Sequence, residues 1–173
     1  ENIGISAGSK TGTYYKFAND IKNTCADKFN VNVYEGGSLI NIDRILNEKN
    51  FKFAIVQYDA LIYYKYSKKQ DLENFIKMIF PLYKEEIHII VRKNLSIYDL
   101  KDLEGKKVSV DKENSGSFVT ANVIKNKTGI SWNEYYYDSK ESMKKIISGE
   151  IDAFIYVSGA PTSLLENFNK KPD

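Results

Sequence analysis

The stretch SVDKENSGSFVTANVIKN, residues 109–126, passes from a strand to a helix through three small residues. Residues 107–110 predict a strand, and residues 118–127 predict a helix that opens at Ser115-Gly116-Ser117. Serine is a common N-cap and glycine permits a tight turn, so these residues suit an ordinary helix start. Free N–H groups, the helix dipole and two hydroxyls also suit an anion site. This stretch alone does not distinguish the two interpretations.

The same strand–turn–helix unit recurs along the chain. Strands are predicted at 2–7, 31–35, 51–57, 87–93, 108–110, 134–137 and 152–157, and helices at 14–28, 40–47, 60–66, 118–127, 139–148 and 162–167. Residues 99–103 predict a helical turn, and residues 75–83 give mixed signals that Pro81 interrupts. Alternation of this kind predicts an α/β fold with parallel sheets and helices on both faces.

The alternation runs twice, which predicts two lobes. Residues 1–86 form the first α/β lobe and residues 94–173 the second, each with three units, while residues 87–93 form a crossing strand or hinge between them. Ligands of open α/β sheets bind beyond the carboxyl ends of the strands. We therefore expect a ligand site in a cleft between the lobes.

Small or hydroxyl-bearing residues follow most of the predicted strand ends. The candidate ligand-binding residues are Ser9, Thr11, Gly12, Thr13, Tyr14, Ser38, Gln57, Ser115, Gly116, Ser117, Ser158 and Gly159. A single such junction would be a helix cap, whereas a repeated set at one edge indicates a hydrogen-bonding lining. Hydroxyls and N–H groups suit a carboxylate, although Arg44 and Arg92, the two arginines, lie outside these loops. The tyrosine ring at position 14 could cover a ligand.

Composition excludes several classes of function. The chain has 173 residues, 42% hydrophobic and 28% charged, with a net charge of +2, which is typical of a soluble globular protein. Its 25 basic residues include only two arginines, so nothing favours nucleic acid as a partner. No apolar run is long enough to span a membrane, and the chain begins on a strand, as a trimmed mature protein would. Cys25 is single, which excludes an internal disulfide, and its spacing places it in a core.

An enzyme is the first alternative. The single histidine, His88, lies inside a predicted strand, where a structural role is more common than that of a base for a nucleophile. Histidine and cysteine together number two, so no metal cluster of that type is expected, and no cofactor is predicted. The segment 8–12 lacks the Gly-Lys-Ser/Thr ending of a phosphate loop. Glu85 and Glu86 would diverge in an extended chain and form no catalytic pair.

Five motifs in order carry a resemblance to a known family. They are SKTGTYY at 9–15; GGSLINI at 36–42; AIVQYD at 54–59; LY at 82–83 with HIIVRK at 88–93, Leu100, Leu103 and GKKV at 105–108; and SGS at 115–117 with Gly149, DAF at 152–154 and GAP at 159–161. The chain resembles the TAXI-type solute receptors of tripartite (TRAP) transporters, within the type II periplasmic binding proteins. The motifs cover almost the whole chain, and their specificity lies in the ordered set.

The resemblance implies a two-lobed binding protein that closes on a small carboxylated solute, an amino acid or organic acid. It implies a periplasmic or otherwise extracytoplasmic location and delivery to membrane permease subunits. The ligand-facing loops of the family correspond to residues 11–14, Ser38, Gln57, residues 115–117 and Gly159. Such a module can instead sense ligand for a transmembrane signalling protein, and some enzymes of pyrimidine and thiamine metabolism share the fold. Members of the fold normally continue and return to the first lobe, so we expect a fragment or a shortened relative.

Overall fold

A computed structural model describes residues 2–160 and 162–168 of the chain. The described residues fall into two compact units. The first unit lies within Glu1–Pro81 and Asn114–Val119, and the second within Leu82–Glu113 and Thr120–Asp173. The compact units divide the chain after residue 81 and assign 114–119 to the first unit, whereas the predicted lobes are separated by residues 87–93. The division into lobes with a hinge strand stays a prediction.

The first unit is built on a three-stranded parallel sheet. Its strands are β1 (Asn2–Ser6), β2 (Asn30–Tyr34) and β3 (Phe51–Ala54), in the order β2-β1-β3. Helices α1 (Thr13–Thr24), α2 (Ser38–Asn47) and α3 (Tyr58–Lys68) each follow a strand. All three helices therefore begin just beyond the carboxyl edge of the sheet, where the sequence predicts a ligand site.

The second unit contains a mixed four-stranded sheet. Its strands are β4 (Glu86–Val91), β5 (Lys107–Ser109), β6 (Asn133–Tyr135) and β7 (Ala153–Ser158), in the order β4-β7-β5-β6. Helices α4 (Gly116–Thr128), α5 (Ser139–Ser148) and α6 (Ser163–Phe168) follow β5, β6 and β7, and a 3₁₀ turn spans Leu100–Leu103. β4 pairs antiparallel with β7, so the expectation of purely parallel sheets is wrong for this edge strand. An antiparallel edge on an otherwise parallel sheet is common in α/β folds.

Two helix boundaries differ from the sequence prediction for local reasons. α1 ends at Thr24 and not at residue 28, because the N–H groups of Lys28 and Phe29 both donate to the carbonyl of Cys25 and form a turn. Phe29 is therefore 48% exposed, whereas Cys25 packs partly buried against the core. α3 begins at Tyr58, two residues before its predicted start, because β3 ends early.

Residues 69–85 form no regular helix or strand, in agreement with their mixed signals. Five large hydrophobic side chains in this segment are exposed: Phe75, Met78, Ile79, Phe80 and Tyr83. No helix in the described part of the chain is both long and apolar enough to cross a membrane.

Apolar clusters stabilise both units. In the first unit, one cluster contains Ile5, Ala7, Ala18 and Val31, and another contains Leu39, Ile42, Ala60, Tyr64, Leu72 and Val119. In the second unit, Ile146, Ile151 and Phe154 form a cluster. Val119 lies in the first turns of α4, so its burial fixes the start of that helix in the first unit.

Replacing Phe154 by alanine tests the core of the second unit. Phe154 is 1% exposed, and removal of a buried phenyl group costs about 3–5 kcal/mol of unfolding free energy. The single tryptophan, Trp132, is 5% exposed in the same unit, so its fluorescence in a urea titration reports the unfolding of this unit. Ile147→Ala on α5, where the side chain is 72% exposed, should change the same free energy by less than about 0.5 kcal/mol. Equal effects of the two substitutions would contradict the assignment of this core.

Candidate functional site

The loops after β1 and β2 meet at the carboxyl edge of the first sheet. The Gly36 N–H donates to the Gly8 carbonyl at 3.4 Å. Glu35 accepts from the Lys10 N–H at 3.1 Å, and its second carboxylate oxygen lies 3.5 Å from the Lys10 ammonium. Both side chains are exposed, so this ion pair contributes little to stability. The contacts nevertheless bring two of the predicted ligand loops together.

Three helices of the first unit begin without a side-chain cap. The N-cap residues Gly12, Gly37 and Gln57 are extended, and none accepts a hydrogen bond through its side chain from the following turn. A side-chain oxygen at this position usually satisfies one of the first helical N–H groups. The donors and positive dipole ends of α1 and α2 therefore suit an anion, whereas the first turn of α3 already carries the carboxylate of Asp59.

The loop after β1 holds the first predicted residues. Ser9 and Thr11 are exposed, and the Gly12 N–H donates to the Ser9 carbonyl at 2.8 Å to close a turn. Thr13 is exposed at the first position of α1, while the ring of Tyr14 packs against the Ile5 cluster. Thr11 and Thr13 are thus accessible to a ligand, whereas Tyr14 is partly buried and its role at a ligand stays a prediction.

A buried polar network lies directly behind these loops. Asn41, on α2, is 0% exposed, and its amide donates to the carbonyls of Ala7 at 2.7 Å and Ile55 at 2.8 Å. Its carbonyl oxygen accepts from the Ser6 hydroxyl at 2.7 Å. The Arg44 guanidinium donates to Ser6 at 2.9 Å and to the Glu35 carbonyl. The sequence analysis did not find this network, because only the fold brings these positions together.

Ser115 is the N-cap of α4. Its hydroxyl accepts from the Phe118 N–H at 3.2 Å, and its carbonyl accepts from the Val119 N–H at 3.1 Å. The capping interpretation of this residue is therefore correct, and the anion interpretation stays a prediction. Ser117, on the same turn, is 4% exposed.

Gln57 explains why residue 116 is a glycine. Its amide donates to Asp59 at 3.2 Å and, more weakly, to the Gly116 carbonyl at 3.4 Å. A Cβ added at Gly116 would overlap the Gln57 amide oxygen. The absence of a side chain at this position thus accommodates the Gln57 amide.

The remaining predicted residues lie in other parts of the two units. Ser38, at the start of α2, is 3% exposed in the first unit. Ser158 ends β7 in the second unit, and its hydroxyl donates to the Gly159 carbonyl at 3.1 Å. A Cβ at Gly159 would lie 3.2 Å from the Tyr83 ring. Pro161, the last residue of the GAP motif, lies outside the described residues.

Sequence reasoning missed a carboxylate at the carboxyl edge of the second sheet. Asp111 follows β5 and has a positive φ of 68°, which is uncommon for a residue with a side chain. Burial raises the pKa of Asp111, and repulsion from Asp138 adds to the rise, although the Lys112 N–H at 2.7 Å opposes it. Asp138 caps α5 by accepting from the Glu141 N–H at 2.9 Å, and this bond lowers its pKa. The available signal was an acidic residue directly after a strand, within a stretch interpreted as merely polar.

No catalytic constellation emerges from the histidine or the arginines. His88 lies in β4, with its ring 6.1 Å from that of Tyr156 and its Nε2 atom 3.9 Å from the Glu86 carboxylate. Arg92 pairs with Asp152 at 2.8 Å, and Arg44 belongs to the buried network. In the described residues, no three His, Cys, Asp or Glu side chains come close enough to hold a metal.

A known protein family matches nearly the whole chain. The model of the NMT1-like family matches residues 5–171. The chain belongs to the NMT1-like family. The match covers both units, so it applies to nearly the whole chain and not to one module.

Solved structures with the same fold are binding proteins. The GluR0 ligand-binding core from Nostoc punctiforme, in complex with L-glutamate, has a TM-score of 0.61 and 20% identity, and the match covers 97% of this chain and 73% of that one. Lactococcal OpuAC with glycine betaine has a TM-score of 0.66 and 9% identity, with coverage of 96% and 68%. GshT of Streptococcus mutans, studied in glutathione import, has a TM-score of 0.63 and 13% identity, with coverage of 97% and 72%. The predicted α/β fold of the type II periplasmic binding proteins is confirmed.

The contact between Gln57 and Gly116 predicts that the effect of Gly116→Ala on stability depends on the residue at position 57. Alanine in place of glycine in a helix normally stabilises by up to about 1 kcal/mol. Gly116→Ala should instead leave the unfolding free energy unchanged or lower it, because the Gln57 amide must move. In a Gln57→Ala background the same substitution should stabilise the protein. Urea denaturation of the parent, the two single variants and the double variant measures this coupling. Equal effects of Gly116→Ala in both backgrounds would refute it.

Because Asp111 is partly buried, we expect Asp111→Asn to raise the melting temperature in a pH-dependent way. The raised pKa means that ionisation of this carboxyl group destabilises the folded chain. The free energy of unfolding therefore falls as the pH rises from the unfolded pKa of about 3.9 through the pKa in the folded chain. Asparagine stays neutral and tolerates a positive φ. Its melting temperature should therefore exceed that of the parent at pH 7 and match it at pH 3. Asp138→Asn is the control: its pKa is lowered in the folded chain, so it should give no gain at pH 7.

Proposed function

We propose that the chain is an extracytoplasmic solute-binding protein that takes a small carboxylated solute, an amino acid or an organic acid. The observation that carries this proposal is the set of helix starts at one sheet edge. α1, α2 and α3 all begin there, and none is capped by a side chain. Backbone N–H groups and helix dipoles converge on such an edge, and a carboxylate is the small anion that they suit.

The roles of individual residues follow from their positions. The exposed hydroxyls of Thr11 and Thr13 would add donors beside the start of α1, and the Gln57 amide would face them from the start of α3. Ser38 and residues 115–117 form the other helix starts of the first unit. We propose that Ser158 and Gly159, at the end of β7, are ligand-binding residues of the second unit.

Ligands of the structurally similar proteins define a suitable panel. L-glutamate, glycine betaine and arginine, the ligands bound in three structurally similar proteins, all carry a carboxylate. Delivery of the solute to a TRAP-type permease rests on the resemblance of the five sequence motifs. A domain that senses ligand for a signalling protein would use the same site. A long apolar helix elsewhere in the complete gene product would favour that alternative.

A melting-temperature screen tests the proposal. The panel contains L-glutamate, L-arginine, glycine betaine, glutathione and succinate, with the methyl ester of each as its control. A solute at 100 times its dissociation constant stabilises the folded chain by about 2.7 kcal/mol. At least one free acid should raise the melting temperature, its ester should not, and the acid should be recovered unchanged. A panel without any shift, or equal shifts by acid and ester, would contradict a carboxylate site.

Thr13 and Thr24 provide a matched pair of variants on one helix. Thr13 begins α1 at the proposed site, while Thr24 ends α1 and donates to the Asp20 carbonyl. A lost hydrogen bond to a charged group costs about 1.5–3 kcal/mol. Thr13→Ala should therefore weaken binding of the best acid in the panel by about 10-fold or more in titration calorimetry. Thr24→Ala should leave the affinity unchanged, and equal losses would place the solute elsewhere.

A further inference from the structure

We propose that Asn41 is a positioning residue, which holds the three ligand loops of the first unit in register without touching the solute. This inference rests on the proposed function. Asn41 is fully buried, so its effect on a ligand must pass through the groups that it bonds. A buried amide is retained only where its donors and acceptors are satisfied, and those partners show what it does.

The partners of Asn41 lie just beyond two strands. Its two donated hydrogen bonds go to Ala7, the first residue after β1, and Ile55, the first residue after β3. Its oxygen accepts from Ser6, the last residue of β1. One side chain therefore fixes the points where the loops to α1 and α3 leave the sheet.

The third loop is held by the same network. Arg44, one turn along α2, donates both to Ser6 and to the carbonyl of Glu35, the first residue after β2. A Cβ at Gly36 would overlap the Asn41 amide oxygen, so that loop passes directly over the buried amide. All three loops that carry predicted ligand residues of the first sheet thus rest on Asn41 and its neighbours.

The second unit contains a smaller counterpart. Ser142 is the fourth residue of α5, as Asn41 is the fourth of α2, and Ser109 ends β5 as Ser6 ends β1. The Ser142 hydroxyl donates to Ser109 at 2.7 Å and lies 3.1 Å from the Tyr137 carbonyl, and it contacts only one loop. A serine at this place suffices to attach a helix to a strand, so the longer amide of Asn41 serves the additional loops.

Hydrogen exchange of Asn41→Ser tests the positioning role without any solute. The N–H of Gly36 donates to the Gly8 carbonyl, and that of Ile55 donates to the Ser6 carbonyl. In the variant, exchange at both amides should rise by about tenfold or more, while the strands of the second unit keep their protection. Tyr64→Phe is the matched control: it removes a hydrogen bond of 2.7 Å to Asp43 in the same unit but away from the loops. It should leave both amides unchanged.

Gly36→Ala provides a second route if Asn41→Ser does not fold. The added methyl group must displace the Asn41 amide, so it should raise exchange at Ile55 as well. Binding of L-glutamate to each folded variant should weaken in the Asn41 and Gly36 variants but not in Tyr64→Phe. Parent protein that fails to bind L-glutamate would count against that solute, while the exchange result would still decide the positioning role. Unchanged exchange in both variants, or an equal rise in Tyr64→Phe, would overturn the inference.

Discussion

The buried amide of Asn41 is the constraint on which the first unit depends. A polar group without water must find every partner within the protein, so its position fixes the groups around it. Here those groups are the backbone carbonyls beyond β1 and β3 and the hydroxyl of Ser6. The apolar clusters stabilise the unit, but they tolerate small shifts, whereas hydrogen bonds of this length do not.

In both units helices begin after the strands of a sheet, but the groups at the two sheet edges differ. In the first unit three helices start without side-chain caps. In the second unit Asp138 caps α5, and Asp111 adds a partly buried carboxylate. Uncapped helix starts thus distinguish the first edge, although both edges carry acidic side chains: Glu35 and Asp59 at the first, Asp111 and Asp138 at the second.

The sequence predicts the order and type of nearly all the elements, because apolar periodicity and caps are local. α5 spans the predicted residues 139–148, between the Asp138 cap and Gly149, whose φ is +82°. The prediction fails where a nonlocal or turn-specific contact decides. The carbonyl of Cys25 ends α1 early, and β4 takes its direction from β7, about 65 residues later in the chain. For the site, Ser115 as a cap was predictable from residue type, whereas the Asn41 network and the close approach of Gln57 to Gly116 required the fold.

The fit of glycines against polar side chains also constrains how the protein can evolve. Gly36 lies against Asn41, and Gly116 lies against Gln57, with no room for a methyl group in either case. A larger residue at either glycine therefore requires its polar neighbour to move or to become smaller. Among homologues, positions 36 and 41 should therefore covary, as should positions 57 and 116. Residues 57 and 116 are 59 positions apart, so their substitutions would be coupled over a long distance in the sequence. Neither Gly36 nor Gly116 has a positive φ, so the constraint comes from the neighbouring side chain and not from the backbone conformation.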